Sequence, residues 1–196
     1  MKRSYKNFDV PEYLTDFLNY METIKGMSAL TVQEYFYDLH TFLKYVKCTK
    51  MLGEFPEDFD SDGFVISDVD ISYIQRMTLS DLYAYLSWLT QEKGNSASAR
   101  ARKVASLRSF FKYLHDKAGL LKENPALELE SPKMNKRLPK YLNVDESVQL
   151  LSSVNGEFYE RDYAILTLFL NCGMRLSELV GINISQKFFF ENLFEE

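Results

Sequence analysis

An arginine set between two helix signals is the side chain best placed to do chemistry in this sequence of 196 residues. In LNCGMRLSELVGI, Leu170 through Ile182, an apolar helical run closes at Gly173 and a new helix starts near Ser177, which holds Arg175 on the corner between them. A guanidinium fixed there can aim its planar fork of donors at two oxygens of one phosphate, and Glu178, three residues on, is near enough to orient it. The plainer reading of Arg175 is a surface ion pair with Glu178 at helical spacing. Two acid-free runs of bases point to the same ligand chemistry. One holds Lys93, Arg100, Arg102, Lys103, Arg108 and Lys112; the other holds Lys133, Lys136, Arg137 and Lys140. Such runs neutralise the phosphates of a polyanion, or else form a solvated face. The net charge of -5 opposes nucleic acid only until its distribution is read. Seven acids and no base lie between Glu54 and Asp70, so the rest of the chain carries +2.

Other chemistries find little support. His40 and His115 belong to separate helical runs with no second ligand at metal spacing, and Cys48 and Cys172 stand far apart, which suits reduced thiols better than zinc or a disulfide. Ser177 lacks a histidine or lysine partner and reads as a helix N-terminal residue, and no glycine-rich phosphate loop occurs. The expectation is therefore no metal and no nucleotide cofactor. No apolar run approaches the roughly 18 residues a membrane span needs, and the opening MKRSYKNFDVPEYL carries no apolar signal stretch. A cytoplasmic protein with no membrane partner is expected.

The elements that must position these residues are helical. Pro11 to Ile24 spaces Leu14, Phe17, Leu18 and Met21 as one amphipathic helix, and Gly26 breaks it. Ser28, and Thr31 with Glu34, give overlapping N-cap signals for a second helix whose stripe of Tyr35, Leu39, Phe42, Leu43 and Val46 runs to Lys47. Residues 51–70 have no helical period and read as an exposed acidic connection. Helical pattern resumes near Ser72, and Thr78 with Asp81 caps a run through Leu82, Tyr85, Leu86 and Leu89. From about Ser98 to Lys117, Val104, Leu107, Phe111 and Leu114 mark an apolar face, with Arg100, Lys103 and Arg108 expected off it. SPKMNKRLP, with prolines at both ends, reads as a linker. Asn143 with Glu146 caps a short helix beyond it, and Arg161 to Cys172 reads as a buried helix.

The corner motif and the front of the chain together resemble the tyrosine-type site-specific recombinases, or phage-type integrases, and within them the bacterial chromosome-dimer-resolving group. Gly173, Met174, Arg175, Leu176, Ser177, Glu178 and Leu179 match the family pattern around its first catalytic arginine position by position. The helix with Tyr35, Asp38, Leu39 and Phe42, the basic run RKVASLRSFFKYL, the Asn124 and Pro125 pair, and Pro132, Lys133, Leu138 and Pro139 carry the likeness from about Val10 to Ser185.

The resemblance implies a mainly α fold. A helical, SAM-like core-binding domain (8–130) is joined by a basic linker (131–140) to the first helices of an incomplete recombinase catalytic domain (141–185), with an atypical tail (186–196). It implies double-stranded DNA as partner, other recombinase protomers as further partners, and no cofactor. The DNA-contact set it suggests is Ser28, Thr31, Arg100, Arg102, Lys103, Arg108 and Lys112, with Lys133, Lys136, Arg137 and Lys140 of the linker; Arg175 is the one catalytic residue carried over. In such enzymes a tyrosine attacks the scissile phosphate while arginines, a lysine and histidine or tryptophan stabilise the developing charge. Only 21 residues follow Arg175, with no histidine after His115 and no tyrosine after Tyr163. The expectation is a truncated recombinase that binds DNA without cutting it alone. Two alternatives remain: a helical protein-interaction module, and a frameshifted remnant whose tail, with Phe188, Phe189 and Phe190, is prone to association.

Overall fold

Helix α1 (Glu12–Thr23) forms where the first apolar stripe was read, and it buries Tyr13, Leu14, Phe17, Leu18 and Met21. The computed structural model describes residues 8–61, 63–133 and 140–182, and the chain divides into two compact units, 1–135 and 136–196. Every regular element among the described residues is helical. In the first unit α2 (Ala29–Lys47) packs on α1 and on α5 (Ala97–Asp116). Of the two N-cap signals for α2, Ser28 prevails: its hydroxyl accepts from the Thr31 amide at 3.2 Å, which leaves Thr31 in the first turn. Phe17, Phe36, Phe42, Phe110 and Phe111 are fully buried, each contributing about 1.5–3 kcal/mol by leaving water. Their rings meet edge to face, as Phe42 does with Phe111 at 5.9 Å and Phe17 with Phe110 at 5.4 Å.

The acidic segment departs from expectation. Rather than an exposed connection, it is a folded lobe with Phe59, Phe64, Ile66 and Val69 buried. These four side chains follow neither a helical nor a strand period, so they give no periodic signal. What they need instead is satisfaction of irregular backbone, and α2 supplies it. Lys44 Nζ donates to the carbonyls of Phe59 (2.9 Å) and Ser61 (2.7 Å), and Lys47 Nζ to that of Val65 (2.9 Å). A π-helical turn, Cys48–Leu52, leads from α2 into the lobe. It closes at Gly53, whose φ of 79° a side chain would strain. At the other end Tyr13 donates its hydroxyl to Val69 O at 2.8 Å. Burial, and then the negative charge of Asp70, push that phenol far above its ordinary pKa and keep it a donor.

Two further helices, one short and one of 13 residues, then lead to the basic helix. Asp70 caps α3 (Ile71–Gln75), and Thr78 with Asp81 forms a reciprocal capping box on α4 (Leu79–Gln91). Ser96 caps α5 through the Ala99 amide.

The second unit is built from α6 (Val144–Ser152), α7 (Tyr159–Cys172) and α8 (Leu176–Val180). Asn143 and Glu146 cap α6 reciprocally, and Gly173 ends α7 in the left-handed region at φ 60°. The expected burial of α7 is corrected here. None of the residues in these three helices is buried, because the apolar side chains of α7 point to more faces than its packing on α6 can cover. Among the described residues no helix is long and apolar enough to cross a membrane. Nor does any group of three or more His, Cys, Asp or Glu among them form a metal-binding cluster.

Candidate nucleic-acid interface

The site begins with one buried carboxylate. Asp38 sits on α2 between Tyr35, Leu39 and Phe42, and its side chain is 1% exposed. Helix α5 reaches it with three donors. Arg102 Nη1 lies 2.8 Å from Oδ2, Lys103 Nζ 2.9 Å from Oδ1, and Ser106 Oγ 2.8 Å from Oδ2. Both oxygens are thus engaged, as a charge withdrawn from water requires. Arg102 also pairs with Glu34, one turn earlier on α2, at 2.9 Å, yet 46% of its side chain remains exposed. Its guanidinium is therefore fixed in place by two carboxylates while part of it faces water.

This geometry corrects one expectation. Lys103 does not lie off the apolar face of α5; it is buried, because Asp38 draws its ammonium inward between the helices. Arg100 and Arg108 serve the backbone. Arg100 Nη1 donates to the carbonyl of Asn95, at the turn before α5, and Arg108 Nη2 to that of Leu129, which ties the segment after α5 back onto the helix. Lys93 leaves the basic run altogether, since both oxygens of Asp60 neutralise it at 2.7 Å. Lys112, Lys133 and Lys140 are exposed and have no ion pair among the described residues. Lys136 and Arg137 lie outside the described residues, as does the tail from Gln186.

Ser28 and Thr31 open α2, their hydroxyls 2.9 Å apart. Thr31 precedes Glu34 by three residues, about 4.5 Å along the axis. Because Arg102 bonds Glu34, the start of α2 and the first half of α5 form one strip, running from two hydroxyls to a held guanidinium. The sequence reading missed its organiser. The available signal was an acid inside the apolar stripe of α2, a register that an unpaired carboxylate does not occupy.

Arg175 belongs to the second unit. It precedes α8, and its backbone N–H donates to Glu178 Oε2 at 2.7 Å while Nη1 lies 3.1 Å from Oε1. The side chain is 82% exposed. The corner expected from Gly173 is present, with Glu178 holding both the backbone and the guanidinium of one residue.

Residues 65–118 match the family model described as phage integrase, N-terminal SAM-like domain. Tyrosine recombinase XerC of Caldanaerobacter subterraneus is 53% identical over 174 residues, covering 89% of this chain and 49% of that protein. Tyrosine recombinase XerD of Listeria monocytogenes is 34% identical over 176 residues, covering 88% of this chain and 52% of that protein. The chain spans about half the length of the curated relatives it matches. Among solved structures, a crystal structure of XerA recombinase aligns with a TM-score of 0.40 at 25% identity, covering 89% of this chain and 50% of that one.

Proposed function

We propose that this chain, which is similar to the tyrosine recombinases XerC and XerD over about half of their length, is the DNA-holding part of such an enzyme, acting in DNA recombination and integration in the cytoplasm. Residues 8–130 form the core-binding domain in this reading, 131–140 a basic strap along the phosphates, 141–185 the opening of the catalytic domain, and 186–196 a tail. Duplex DNA is the partner, with further recombinase protomers beside it. Arg175 is the first arginine of the phosphate-handling set.

The observation that carries the reading is the strip formed by α2 and α5. A guanidinium pinned by Glu34 and Asp38 keeps 46% of its side chain exposed, and the Ser28 and Thr31 hydroxyls open the same helix α2 that holds it. Such a pre-set cation loses little side-chain freedom when it meets a phosphate. Lys103 meets no phosphate in this reading; it positions Arg102 by sharing Asp38. Arg100 and Arg108 support the backbone around the same helix.

Replacing Lys112, Lys133 and Lys140 together by Gln tests the reading, because these bases are exposed and have no ion pair among the described residues. Duplex affinity of the parent chain falls with rising salt, and the logarithmic slope drops by roughly 0.9 for each phosphate contact removed. Binding indifferent to salt sinks the proposal.

A second reading draws on the exposed apolar residues of the second unit, Leu142, Val144, Val148, Leu176 and Val180. Surfaces of this kind mark protein contacts, here with a recombinase protomer. Capture of that protomer at high salt, with no DNA retained, favours it over DNA holding.

A further inference from the structure

The acidic lobe carries a feature that DNA holding leaves unused. Phe55 remains 44% exposed and stacks on Trp88, the rings 5.4 Å apart and 15° from parallel. Phe59 meets the same indole edge-on at 5.3 Å. These rings line a groove of about 420 Å³, within the size range of pockets that seat small ligands. Its rim is negative. Asp60 is spent on Lys93, but Glu57 and Glu92 at the groove, and Glu54 beside Phe55, are exposed and unpaired among the described residues. Lys93 shows what the groove accepts: its ammonium lies 4.7 Å from the Phe59 ring centre and 5.5 Å from that of Trp88, with a carboxylate behind it.

We infer that, when it is not strapped along DNA as proposed above, the basic, proline-bounded segment 131–140 of a second copy of the chain enters this groove. Flat aromatic faces suit proline rings, which are apolar, carry no N–H and hold an extended backbone at little entropic cost. Unpaired carboxylates beside them suit Lys and Arg. The carboxylate rim repels the phosphates of nucleic acid. Within this sequence SPKMNKRLPK meets both requirements, with two prolines, four bases and no acid in ten residues. The bases of α5 do not, since Arg102 and Lys103 are committed to Asp38, Arg100 and Arg108 to backbone carbonyls, and Lys112 stands on a helix with no proline beside it. Charge complementarity identifies this sequence as the source of the segment, since it encodes both the acid-rimmed groove and an acid-free partner, and self-association of the chain distinguishes a second copy from docking within one chain.

Trp88 is the single tryptophan of the chain, and the segment contains none, so the groove has its own optical probe. Titrating a synthetic peptide of residues 131–140 into the full chain is expected to change Trp88 emission saturably. Phe55→Ala, and separately Glu57→Gln with Glu92→Gln, weaken that binding at least tenfold, as does replacing both prolines of the peptide by Ala. The full chain is expected to self-associate in sedimentation, and replacing Lys133, Lys136, Arg137 and Lys140 by Gln abolishes the association. Four results overturn the inference: emission unmoved at saturating peptide, a change insensitive to the groove substitutions, equal binding of a scrambled peptide of the same composition, or a full chain that sediments as a monomer.

Discussion

Asp38 holds two cations and a hydroxyl from inside the first unit, so its removal affects more than its own bonds. In Asp38→Ala the Lys103 ammonium stays buried without a counter-charge, which costs about 3–5 kcal/mol for a broken buried pair. A large drop in the urea midpoint at unchanged slope is expected, and adding Lys103→Met recovers much of it, because the orphaned charge is then gone. A midpoint within a few tenths of a molar of the parent shows that Asp38 is not the organiser. The residue scale also shows where sequence reading stops. Arg102 and Lys103 stand in an acid-free run, so every local cue sends them to solvent, while the carboxylate that claims them lies 64 and 65 residues away. The corner that holds Arg175 was legible, because Gly173, the new helix start and Glu178 all sit within six positions.

Elements were legible wherever their signals are local. Ser28, the Thr78 and Asp81 pair, and the Asn143 and Glu146 pair cap the helices that their spacing announces, since a cap needs only residues within one turn. The lobe at 51–70 was not legible, because its irregular backbone is held through carbonyls bonded by lysines of α2 and its buried side chains follow no period of their own. The α4 box gives a pH prediction. Burial raises the Asp81 carboxyl, but hydrogen bonds from Lys50 and from the Thr78 side chain and backbone outweigh it and hold its pKa below the ordinary value. A carboxylate lowered in the folded state contributes stability that is complete above its unfolded pKa, about 3.9, and is lost as pH falls through the folded value. The parent chain therefore loses more stability than Asp81→Asn between roughly pH 5 and 2. At pH 7 the substitution itself costs about 1 kcal/mol through the weakened cap. Chemical denaturation at several pH values measures both, and parallel stability curves for the two proteins refute the assignment.

At the scale of the whole molecule, the two units hold unequal stores of stability. In the first, α1, α2, α4 and α5 and the acidic lobe share one buried cluster, whose loss exposes many aromatic side chains at once. In the second, helices of 9, 14 and 5 residues bury none of their side chains. Isolated helices shorter than about 12–15 residues are marginal in water, and packing normally makes up the difference. Without it, local opening costs little, and backbone amides exchange through that opening. Hydrogen exchange followed by mass spectrometry is expected to show α2 and α5 protected to nearly the global unfolding energy, and α6 through α8 exchanging at least a hundredfold faster. The contrast also separates the two functional readings. Duplex DNA added at low salt slows exchange first along α2, α5 and the segment leading to Lys133 if the strip grips phosphate. A recombinase protomer instead slows it along α6 through α8, where the uncovered apolar side chains lie. Equal protection of both units in the free protein would mean that the second unit gains support from contacts other than the burial of its own helices.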